Sequence, residues 1–82
     1  MRVSREQAAE NRRRIVEAAA RLFRERGFER VGIAEIMQAA GLTHGGFYAH
    51  FPSKEDLARE ACRTAIDRAT ESWRTRAAGR PE

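Results

Sequence analysis

No stretch of this 82-residue chain approaches the roughly 20 consecutive apolar residues that a membrane-spanning helix requires. Nor does its N-terminus carry the apolar segment of a signal peptide, so a cytoplasmic location is expected and no membrane partner. A single cysteine, Cys62, excludes an internal disulfide and suits a reducing compartment. The length leaves room for one small domain without a second core, and 41% apolar with 34% charged residues suits a soluble helical domain. No internal repeat is visible, and prolines are confined to Pro52 and Pro81. The most informative gap is in acidic residues: none occurs between Glu35 and Glu55.

What is present in excess is positive charge. Sixteen Lys and Arg against twelve Asp and Glu give +4, and that excess lies in the first third. Residues 1–30 hold nine arginines and five glutamates, whereas residues 31–82 balance seven bases with seven acids. Such a distribution fits a polyanionic partner, although basic termini are also common in soluble proteins. Met1 to Glu10 is polar without an apolar stripe and reads as a loosely ordered basic arm that could extend the first helix.

The first helix is expected from about Asn11, as its cap, to Arg26, with Ile15, Ala18, Ala19, Leu22 and Phe23 on its buried face. Arg12, Arg13 and Arg14 would then crowd its first turn, where the helix dipole disfavours cations and a bound phosphate would compensate. The alternative for these three is a solvated basic face. Gly27 ends the helix and Phe28 returns to the core.

The stretch from Ile33 to Phe51 reads as two short helices joined by a tight turn. Ile33, Ile36, Met37 and Ala40 form one apolar helical stripe, and Gly41 stops it by taking a left-handed conformation. Leu42 follows as an apolar plug, and Thr43 is a candidate cap for a helix reaching about Phe51. That helix would bury Phe47 and Phe51 and turn His44, Gly45, Tyr48 and His50 mostly outward. Its outer face offers hydroxyls, imidazoles and glycines in place of the usual charged residues. A phosphate-lined groove would repel carboxylates there and accept a helix N-terminus. Nine residues at 1.5 Å each span roughly 13 Å, close to the roughly 12 Å width of the DNA major groove.

The run GLTHGGFYAHFPSKEDL, preceded by RIVEAAARLFRERGF, resembles the DNA-binding domain of the TetR family of bacterial transcription regulators. The likeness covers about residues 11–66: the glycine turn, the G-x-x-x-G-x-F-Y-x-H-F recognition helix, and S-K-E-D-L opening the next helix. It implies that Thr43, His44, Gly45 and Tyr48 face the groove. Gly46, without a side chain, allows close backbone approach. The polar ends of Tyr48 and His50 would lie against the sugar-phosphate backbone, and Lys54 would bind a phosphate. In such proteins an N-terminal arm sometimes reaches the minor groove, which makes Arg2 and Arg5 candidates beside the plainer reading of a solvated tail.

Two departures weaken the likeness locally. Val31 and Gly32 stand where the family usually has a capping Thr or Ser that also bonds a phosphate. Gly32 keeps only its backbone for both tasks, and Arg30 is the candidate replacement. Ala49 stands where a second aromatic is often found, which removes any contact made there.

Pro52 prevents helical continuation, and Ser53 with Asp56 resembles a capping box for a fourth helix. Leu57, Ala58, Ala61, Cys62, Ala65, Ile66, Ala69 and Trp73 keep a helical stripe over about twenty residues. Cys62 is expected to be a packed thiol on that stripe. The family's larger ligand-binding and dimerisation domain is expected to be missing, as in an excised domain or an unusually short relative, so Ala69 and Trp73 are expected to be partly exposed.

The expected architecture is all-α: a three-helix, homeodomain-like helix-turn-helix core followed by a longer fourth helix. It divides into a basic arm over residues 1–10, the DNA-binding domain over 11–66, and the helix end with a polar tail over 67–82. Double-stranded DNA is the expected partner, with a homodimer expected of a full-length relative. His44 and His50, six residues apart, do not share a helical face, and Cys62 lies on another element, so no metal or cofactor is expected. No nucleophile, base and orienting group occur together, which argues against an enzyme. The competing class is a small helical protein-interaction module.

Overall fold

The computed structural model describes residues 4–78 and is all-α. Helix α1 spans Arg5–Arg26, α2 spans Ile33–Ala39 and α3 spans Lys54–Ala78; two 3-10 helices, η1 (Phe28–Arg30) and η2 (His44–Ala49), lie between them. No strand occurs among the described residues.

Helix α1 begins earlier than the sequence suggests. Ser4 is its cap, its hydroxyl accepting from the Gln7 N–H at 3.1 Å. Asn11 is an interior residue whose Oδ1 accepts from Gln7 Nε2 at 2.9 Å. The expected arm is therefore helical from Arg5 onward, and Arg2 lies outside the described residues. The shift matters for the charges. Arg12, Arg13 and Arg14 sit well inside the helix, and the acid in the first turn is Glu6, as the dipole prefers. Helix dipole repulsion therefore does not call for a phosphate at these arginines.

Two glycines make the reversals around α2. Gly27, at φ 90°, closes α1 with its N–H on the Phe23 carbonyl at 2.8 Å. Gly41, at φ 77°, bonds the Gln38 carbonyl at 3.0 Å while Leu42 N–H reaches the Met37 carbonyl at 2.9 Å. This paired closure needs the left-handed conformation that glycine adopts without penalty. At the start of α3, Ser53 Oγ accepts from the Asp56 N–H at 3.1 Å, the cap read from the sequence, while Asp56 Oδ2 accepts from the Ser53 hydroxyl at 2.9 Å and not from the backbone N–H that a capping box uses.

The core lies where α1, α2 and the front of α3 meet. Ile15, Ala19, Ile36, Phe47 and Leu57 are fully buried, with Val31, Met37, Phe51 and Ala61 nearly so. No polar or charged residue is buried among the described residues. Each large side chain withdrawn from water here contributes about 1.5–3 kcal/mol against the chain's conformational entropy. Past Ala61, no residue of α3 is fully buried among the described residues: Cys62 is exposed, not packed as its place on the stripe suggests, and Ile66, Ala69 and Trp73 are exposed too. None of the helices is long and apolar enough to cross a membrane among the described residues.

Candidate nucleic-acid interface

The segment expected to meet DNA begins at Thr43 and is organised by two rings. Phe47 and Phe51 lie inside the core with centroids 5.9 Å apart, and the rest of η2 faces out. The segment is a six-residue 3-10 helix in place of the expected α-helix. Two adjacent glycines lower helical propensity here, and the three-residue spacing gives a tighter, longer coil for the same residues. Thr43 occupies the cap position with extended backbone, yet its side chain makes no capping bond; its carbonyl accepts from the Gly46 N–H at 3.2 Å. The hydroxyl expected to cap is thus left for other partners.

Thr43, His44 and Gly45 are exposed, and Gly46 is half-buried. Tyr48 is 64% exposed, its ring standing edge-on to Phe47 with centroids 5.0 Å apart. This places a phenol at the surface on a rigid aromatic base. His50 is half-buried, with its N–H on the Phe47 carbonyl at 2.9 Å, and it lines a cleft shared with Arg12, Phe51 and Glu60. Lys54, in the first turn of α3, holds its ammonium 4.2 Å from the centre of the Phe28 ring. The ammonium itself lies over the aromatic face, at a helix start where backbone N–H groups add to its field. The acid-free face therefore runs from Thr43 through His50 and is followed by a cation at Lys54.

The N-terminus of α2 is different. The Gly32 N–H already donates to Glu35 Oε1 at 3.3 Å, and Glu35 is ion-paired with Arg26. The Arg26 guanidinium, and then the Gly32 N–H, hold the Glu35 carboxyl below its ordinary range. A carboxylate of this protein thus occupies the backbone donor that the sequence left for a phosphate. Arg26 also donates through Nη2 to the Arg30 carbonyl at 3.3 Å, while the Arg30 guanidinium is exposed and has no ion-pair partner among the described residues.

Arg12, Arg13 and Arg14 of α1 are tied to acids. Arg13 bonds Glu10 at 2.6 Å and Glu17 at 2.9 Å, and Arg14 reaches Glu10 at 3.3 Å. Arg13 first, then Arg14, hold the Glu10 carboxyl down at about 2. Arg12 leaves its own helix: Nη1 bonds Glu60 Oε2 at 2.5 Å and Nη2 bonds Glu60 Oε1 at 3.0 Å. Arg68 spans the same two helices in the other direction, reaching Glu17 at 2.5 Å. The pairs within α1 were readable from the three- and four-residue spacing of Glu and Arg. Arg12–Glu60 and Arg68–Glu17 were not, because no local pattern links residues so far apart in sequence. No group of His, Cys, Asp and Glu that could hold a metal ion occurs among the described residues.

Residues 15–61 match the family model described as bacterial regulatory proteins, tetR family. The chain is similar to the HTH-type transcriptional regulator TtgR of Pseudomonas putida, 44% identical over 57 residues, which are 70% of this chain and 27% of that protein. It is 41% identical over 59 residues to the HTH-type transcriptional regulator AcrR of Shigella flexneri, covering 72% of this chain and 27% of that one. The A-factor receptor protein of Streptomyces griseus is 46% identical over 52 residues, 63% of this chain and 19% of the other. The chain thus spans about a quarter or less of the length of these relatives. No solved structure matches it at a significant level.

Proposed function

The chain belongs to the TetR family of bacterial regulatory proteins and carries its helix-turn-helix DNA-binding domain, and from that premise we propose that η2 enters the major groove of a specific DNA site. The observation that carries this reading is the exposed face from Thr43 to His50, which holds no carboxylate and stands on two buried rings. At about 2.0 Å per residue, the six residues of η2 reach about 12 Å, which suits a few base pairs. His44 presents ring nitrogens to base edges, and Thr43 a hydroxyl and a methyl. Gly45 and Gly46 let the backbone come close. Tyr48, His50, Lys54 and Arg30 hold phosphates on either side, fixing register without reading sequence. Arg12 and Arg13 are left out of this clamp, since both are engaged with acids of the protein, and Gly32 is left out because its N–H serves Glu35.

In a longer protein of this kind, two such domains would bind a palindromic operator about one DNA turn apart, as a dimer repressing transcription under control of an inducer. Alone, this chain binds a half-site weakly. The test is a fluorescence-anisotropy titration of a short duplex at several salt concentrations. Log affinity should fall with log salt by about 0.9 per phosphate neutralised. Lys54→Met should lower that slope by nearly one unit on every sequence, whereas His44→Ala should cost about 1–3 kcal/mol only at the base pair it reads. Equal losses from both variants on all sequences would refute the division of roles. Absence of binding at low salt, by the chain and by a forced dimer alike, would favour the protein-interaction reading, for which exposed Ile66 and Trp73 are the natural surface.

A further inference from the structure

Arg12 joins three parts of the molecule. It leaves the middle of α1, grips the Glu60 carboxylate of α3 through two parallel hydrogen bonds, and stacks with Cζ 4.4 Å from the centre of the Phe51 ring. Only arginine does all of this at once, because its planar fork matches a carboxylate edge and its flat face lies on an aromatic ring. Phe51 closes the segment that begins at Thr43: its N–H bonds the Phe47 carbonyl at 3.1 Å, and His50 precedes it in the cleft that Arg12 and Glu60 line.

Apart from its packing against α2, the direction of η2 depends on little else. The helix is six residues long, holds two glycines and lacks a side-chain cap, so the two rings Phe47 and Phe51 define its axis. Phe47 is enclosed by the core on all sides. Phe51 is buried too, and the Arg12 guanidinium covers its ring.

We propose that Arg12 and Glu60 form a positioning clamp that sets the angle at which η2 meets DNA, and that Arg12 makes no phosphate contact of its own. This rests on the DNA-binding reading above. It gives an acidic residue near the interface a favourable role, which electrostatics alone does not. Removing a carboxylate from a DNA-binding protein ordinarily strengthens binding to every sequence. Glu60 should behave differently.

The experiment uses two duplexes: one selected from a random pool by the unaltered chain, and one random. Glu60→Ala should lower affinity for the selected duplex roughly tenfold while leaving affinity for the random duplex equal or higher. Arg12→Ala should show the same loss of discrimination without the unit drop in salt slope that a lost phosphate contact produces. Arg12→Lys, which keeps the charge but loses the fork and the stack, should not rescue it. The double variant Arg12→Ala/Glu60→Ala should be no worse than either single one, because each already breaks the clamp. A purely structural role would lower binding to both duplexes alike, in step with thermal stability. Undiminished discrimination in Glu60→Ala, or a salt slope reduced by Arg12→Ala and restored by Arg12→Lys, would overturn the proposal. Hydrogen exchange of the His50 and Phe51 amides without DNA gives an independent reading and should quicken in both single variants. If neither the unaltered chain nor its forced dimer bound any duplex, the DNA reading would fall, and unchanged exchange would be needed to overturn the clamp as well.

Discussion

The carboxylates of Glu17 and Glu60 join helices through charge, which ties this part of the fold to pH. Glu17 is held below the ordinary carboxylate range by Arg68 and then Arg13, and Glu60 by Arg12 and, less closely, Arg63. Their folded-state values lie below the unfolded value of about 4.3 for a glutamate, so the stabilisation is complete above that pH and is lost as pH falls through the folded values. Thermal unfolding midpoints should therefore hold steady near neutrality and drop on acidification below about pH 4. Glu17→Gln/Glu60→Gln should lower the neutral midpoint slightly and make the acid drop shallower; an acid drop as steep as that of the unaltered chain would contradict this. The sequence showed which residues carry charge, but not where long side chains go. Arg12 and Arg13 read as phosphate ligands because a helix starting at Asn11 put them at its positive end. A start at Arg5 moved that end two turns away.

The turn and the recognition segment were legible to a greater degree, because glycine and aromatic positions constrain the backbone locally. Gly41 stops α2 where its apolar stripe ends, and Phe47 and Phe51 are buried as their four-residue spacing suggests. The type of helix was not legible: spacing of four fits an α-turn, yet the pair of glycines removes the preference that would enforce one. Substitutions should sort by backbone conformation. Gly41→Ala, forced into φ 77°, should lose about 1–2 kcal/mol in urea denaturation. Gly45→Ala meets open space, and a Cβ at Gly46 would lie 3.9 Å from Met37 Cε and Thr43 Oγ1, ordinary contact distances. Each of these two should gain about 0.5–1 kcal/mol, and a loss at either would show that η2 needs glycine for its own geometry.

Across the molecule, the apolar stripe of the last helix continues well past the core that uses it. The stripe announced a buried face, but periodicity is silent on whether a covering surface is part of the same chain. Trp73 is 69% exposed, so its fluorescence should peak near the wavelength of free indole and be quenched by iodide. Trp73→Ala should shift the unfolding free energy by less than about 0.5 kcal/mol. Blue-shifted, protected emission would mean that chains cover one another there. The interior and the rim of this fold also differ in how they tolerate change. With no polar side chain buried among the described residues, the core is held by volume alone, and one apolar residue can replace another of similar size singly. Arg12 and Glu60 admit no such single step, since changing either breaks the clamp that both form. Descent should therefore wander through the interior and stall at this surface pair, the reverse of the usual expectation that surfaces drift while cores stand still.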